Sequence, residues 1–73
     1  MKITLDRQAD AAYLFLTSSK EFFSYHTYPC DPIEVNGQIN LDFDQSGRLV
    51  GIEVLDASRL LPKELLIDAE RIG

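Results

Sequence analysis

Ile39, Leu41 and Phe43 alternate with polar residues up to a Gly-containing break. Beyond it Val50, Ile52 and Val54 alternate with Gly51 and Glu53. Period-two alternation on both sides of a turn demands two paired strands with one buried face. Pairing Phe43 with Val50, Leu41 with Ile52 and Ile39 with Val54 matches apolar to apolar. A slip of one residue would put Glu53 opposite Ile39 and break the face. The register leaves QSGR as the loop, with Gly47 supplying positive φ and Asp44 accepting backbone N–H bonds at the loop start.

The N-terminus repeats this geometry. Met1 to Leu5 and Ala11 to Thr17 read as strands, and pairing Leu5 with Ala12 and Ile3 with Leu14 closes a four-residue loop. Asp6 then occupies the place that Asp44 holds in the second hairpin. Ala12, Leu14 and Leu16 line one face, Tyr13 and Phe15 the other. Between the hairpins Pro29 and Pro32 exclude a central strand, and Phe22 to Tyr28 reads as an edge strand or a flap. After the second hairpin, Ser58 caps a short turn through Leu61. Pro62 starts a separate helix whose stripe is Leu61, Leu65, Ala69 and Ile72. The expectation is a single α+β domain over residues 1–73, an antiparallel β-meander of about four strands with a C-terminal helix on one face.

One helix covers one sheet face. Tyr13 and Phe15 on the other face therefore call for the aromatic loop or a second subunit. The expected state is a homodimer whose partner surface draws on Tyr13, Phe15, Phe22, Phe23, Tyr25 and Tyr28. A chain of 73 residues forms a small core and gains from such help.

Net charge is −5. That argues against binding nucleic acid or anionic lipid, which needs clustered Lys and Arg. It is compatible with a basic protein partner, and solubility alone would also explain it. The chain has one cysteine, Cys30, and one histidine, His26, so neither an internal disulfide nor a zinc site of paired cysteines can form. A lone thiol, no apolar run of about 18 residues and no signal-like N-terminus point to the cytoplasm.

Four constellations carry potential chemistry. DFDQSGRLVGIE fits the calcium-loop pattern, with Asp42, Asp44 and Ser46 at the first, third and fifth positions and Glu53 at the twelfth. The flanks, however, have strand rather than helix periodicity, so the acids spread over a sheet face instead of wrapping a cation. Calcium binding through Asp42, Asp44 and Glu53 is the alternative to the reading with no metal site. His26 with Cys30 suggests a nucleophile and base, but nothing supplies an orienting group or an oxyanion site. Asp31 with Glu34 reads as turn chemistry. Phe22, Tyr25 and Tyr28 lack the interleaved cations of a base-stacking platform. No cofactor and no catalytic residue is expected.

MKITLDRQADAAYLFL, with Asp6 and then Ala9-Asp10-Ala11-Ala12-Tyr13, resembles the opening of a prokaryotic family of small proteins, the domain of unknown function numbered 2283, also called YuzE-like. Ile39 through Ser58 resembles its second signature through Leu41, Asp42, Asp44, Gly47, Leu49 to Glu53 and Leu55 to Ser58. The resemblance covers roughly residues 1 to 17 and 38 to 67. It implies a small β-meander with a terminal helix and brings no activity and no catalytic residues. Some members lie beside small toxin-like proteins, which implies an antitoxin-like or other partner-binding role. The chain departs from the family in its aromatic stretch from Phe22 to Cys30, where a short acidic connection is usual. The functional expectation is a non-enzymatic, self-associating interaction module.

Overall fold

The structure, a computed structural model, describes residues 1–18 and 23–73. Among these residues six strands are present, β1 (Lys2–Asp6), β2 (Ala11–Phe15), β3 (His26–Cys30), β4 (Gln38–Phe43), β5 (Leu49–Leu55) and β6 (Glu70–Ile72). Two short helices follow β5, α1 (Ala57–Leu60) and α2 (Lys63–Asp68). All six strands form one sheet in the order β3-β4-β5-β2-β1-β6. Every pairing is antiparallel except β1 with β6, which is parallel.

The α+β class and both hairpins hold, but six strands stand where about four were expected. The first hairpin pairs Ile3 with Leu14 and Leu5 with Ala12, the register that matched apolar residues. Asp6 Oδ1 accepts the amides of Gln8 and Ala9 and so closes the loop. The second hairpin pairs Leu41 with Ile52 and Ile39 with Val54, but Phe43 faces Leu49 rather than Val50. The cause is an irregularity at Asp42/Phe43, where one strand carries an extra residue. Gly47 takes φ +85°, and Asp44 Oδ1 accepts from the Ser46 and Arg48 amides. Pro29 sits on β3, an edge strand, where a missing N–H is tolerated.

Alternation divides the sheet into two faces. On one, the row Leu5, Ala12, Val54 and Ile39 runs from β1 to β4, beside the row Ile3, Leu14, Ile52, Leu41 and Tyr28. The helices lie on this side: Ala57 and Ala69 join Leu5 and Ala12 in the core, with Ile3, Leu61 and Leu66 packed against them. Ala57 is 0% exposed, so α1 rests directly on the sheet. Pro62 separates two helices as expected, but the stripe of the second is shorter: Ala69 follows α2 and Ile72 belongs to β6.

Ser58 is not the cap of α1. It lies in the first turn, and the cap comes from the loop before the neighbouring strand β2. The Asp10 carboxylate accepts from the Ser58 amide at 3.1 Å and its hydroxyl at 2.7 Å, while the Asp10 carbonyl accepts from Ala57 N–H. A side-chain acceptor for a free N–H of the first turn does the work of an N-cap. Asp10 is held at φ 51°, a region that Asp tolerates better than most residues. Arg59 extends the anchor, donating to Asp56 and to the Val35 and Asn36 carbonyls in the 3-10 turn Ile33–Val35 and its cap.

Candidate functional site

The other face of the sheet is polar, and its side chains bond to each other across four strands. Register places Phe15, Gly51, Asp42 and Thr27 in one row and Tyr13, Glu53, Asn40 and Pro29 in the next. Gly51 leaves a gap in β5 that the Tyr13 ring fills. A Cβ at Gly51 would stand 2.0 Å from the Tyr13 hydroxyl oxygen. Across this gap Tyr13 donates to Asp42 Oδ2 at 2.5 Å. Thr27 on β3 donates to Asp42 Oδ1 at 2.6 Å, and Asn40 donates to Glu53 Oε1 at 2.8 Å. Tyr13 and Phe15 pack against each other with ring centroids 4.7 Å apart, and Lys2 Nζ lies 5.4 Å from the Phe15 ring centre.

Asp42 was expected as an outward acid on a solvated face. It is 8% exposed, because Tyr13 lies beside it and β3 closes the other side. Burial acts to raise its pKa, but hydrogen bonds from Thr27, Tyr13 and Ser24 outweigh burial and hold it below its ordinary value. Burial and the neighbouring Asp42 and Glu53 charges push the Tyr13 phenol well above its ordinary value. The pair is thus a carboxylate and a neutral phenol, already bonded to each other. Asp44 is lowered by hydrogen bonds from Arg48 and Ser46 within its own turn.

A depressed carboxylate pKa means that the unfolded state binds the proton more readily. The stability from Asp42 is present above the unfolded value, about 3.9, and is lost as pH falls through the folded value. Thermal melts below about pH 4 are expected to show a steeper loss of Tm in the wild type than in Asp42→Asn. Equal acid limbs would contradict this assignment.

The calcium-loop carboxylates do not converge. Asp42 is engaged by Tyr13 and Thr27, Asp44 by its turn and Glu53 by Asn40. Among the described residues no group of three or more His, Cys, Asp and Glu is placed to hold a metal ion. Millimolar calcium is expected to leave Tm unchanged, since only a ligand selective for the native state stabilises it. An upward shift would restore the cation reading.

His26 and Cys30 begin and end β3, about 13 Å apart along an extended strand. His26 instead packs between Tyr25 and Tyr28, at 4.6 and 5.9 Å between ring centres. Asp31 and Glu34 are both exposed. Of the six aromatic residues assigned to a partner surface, the five described do not share one face. Tyr13 and Phe15 lie on the polar face, Tyr28 on the apolar one, and Phe23 and Tyr25 before β3, while Phe22 lies outside the described residues. Sequence reasoning missed Asp10, Thr27 and Gly51. A glycine inside a strand is a signal of close approach, and it was readable.

Fold and site together define a small α+β protein: one sheet, two short helices on one face, and a self-satisfied polar lattice on the other. The chain belongs to the family described as Protein of unknown function (DUF2283), whose model matches residues 2–58. Within that span Asp10 bonds to Ser58, and Tyr13 bonds to Asp42 and lies over Gly51. No curated protein and no solved structure matches the chain. No helix among the described residues is long and apolar enough to cross a membrane.

Proposed function

We propose that the protein is a non-enzymatic interaction module that self-associates. One observation carries the reading: the single chain leaves too much surface open. Its accessible surface is 5378 Å², whereas a compact monomer of 8.3 kDa exposes about 4,600 Å². The excess of about 800 Å² equals one partner's share of an ordinary protein interface. Among the described residues no large side chain is fully buried, and three of the six buried apolar residues are alanines. A core of that kind gains from apolar surface supplied by a second chain.

The polar face supports the non-enzymatic part. Its buried acid, Asp42, and Tyr13 are bonded to each other rather than aimed at a vacant reaction centre. An antitoxin-like role, binding a protein encoded beside it, is one form such a module takes, and the net charge of −5 suits a basic partner. Sedimentation equilibrium tests the self-association. A concentration-dependent dimer is expected at micromolar chain, and a monomer throughout the submillimolar range would overturn it.

A further inference from the structure

We propose that a second copy of this chain docks face to face on the part of the apolar sheet face that the helices leave open, around Leu14, Leu41, Ile52 and Tyr28. The inference rests on the self-association proposed above and adds where it occurs.

Charge selects the face. Among the described residues of strands β1 to β5 the apolar face carries no Asp, Glu, Lys or Arg, whereas Lys2, Asp6, Asp42 and Glu53 all lie on the polar face. Two chains of net charge −5 meeting through their polar faces would oppose Glu53 and Asp6 to the same acids. Meeting through the apolar faces keeps these groups in water on the outside of the pair.

Layering selects the part of the face. The helices cover Leu5 and Ala12, and Val54, next to Ala12 in the same row, is buried with them. In the next row Ile3, Leu14, Ile52 and Leu41 are only half-buried, and Tyr28 is 53% exposed. The molecule measures 32 × 28 × 19 Å, a slab whose second layer is incomplete. Packed sheets lie about 10 Å apart, close to the spacing at which a helix layer rides on a sheet. A partner sheet can therefore continue the layer that α1 and α2 begin, and a two-fold axis places each helix pair beside the other's open sheet. Tyr28, with its ring 5.6 Å from Phe43, is the aromatic anchor, the residue type that dominates interface energetics.

The test pairs two variants with a wild-type measurement. Tyr28→Lys replaces an exposed edge-strand residue and is expected to raise the dimer dissociation constant at least about tenfold. Phe15→Lys, on the opposite face, is expected to change it less than about threefold. Both are checked for folding by circular dichroism. On dilution of the wild type, methyl NMR signals of Leu14, Leu41 and Ile52 are expected to move, and those of Leu55 on the polar face to stay. A dimer that survives Tyr28→Lys and yields to Phe15→Lys would overturn this face while leaving self-association intact. Should Tyr28→Lys fail to fold, unmoved Leu41 and Ile52 methyls in a dissociating wild type would overturn it equally. A wild-type monomer whose Leu41 and Ile52 methyls contact its own 16–25 connection would show a face closed within one chain, and would overturn both proposals.

Discussion

Gly51→Ala is expected to destabilise the protein by about 3 kcal/mol, combining overpacking with the loss of a hydrogen bond to a charged group. The sign is informative. An alanine in place of glycine inside an open strand usually stabilises by about 0.5–1 kcal/mol, through lost freedom of the unfolded chain. Gly51 has no positive φ, so nothing in its backbone requires glycine. The obstacle is the ring across the sheet, whose Oη, Cζ and Cε1 would meet the new Cβ at 2.0, 2.5 and 2.6 Å. Tyr13 must leave its place over β5 and release Asp42. The urea midpoint of Gly51→Ala reports the loss, and a double-mutant cycle with Tyr13→Ala assigns it. In the Tyr13→Ala background the alanine should cost nothing or stabilise. An equal cost in both backgrounds would refute the account.

That contact shows where the sequence was legible and where it stopped. Both hairpins could be read because alternation is local and Glu53 penalises the slipped register. The two added strands could not. β3 contains Pro29 and has no apolar alternation of its own, so it is a strand only because β4 offers it an edge. β6 has three residues, and its pairing with β1 depends on where α2 delivers the chain. The lattice needed one further fact, that β2 lies beside β5 rather than at an edge. Only then does Tyr13 stand next to Gly51 and one strand short of Asp42. The calcium pattern was legible too, but those residue types serve the turn and the lattice instead. Asp10 and Ser58 stand 48 positions apart, and no short-range pattern links them.

Asp42→Ala is expected to cost about 3 kcal/mol, because it removes the shared acceptor of the Tyr13 and Thr27 hydroxyls and leaves a partly buried phenol without its charged partner. Asp42→Asn, which keeps an acceptor oxygen but no charge, should cost about half as much. The loss should also be local. Thr27 belongs to β3, and Asp42 ties this edge strand to β4 on the polar face. Amide exchange in residues 26–30 is therefore expected to accelerate more in Asp42→Ala than exchange in β1 and β2. Tyr28 is carried by the same strand and projects to the opposite face, so a loosened β3 misplaces the anchor of the proposed dimer. Asp42→Ala should weaken self-association although Asp42 itself lies away from the interface. Unchanged exchange in β3 together with an intact dimer would separate the polar lattice from the apolar face and remove the link between them.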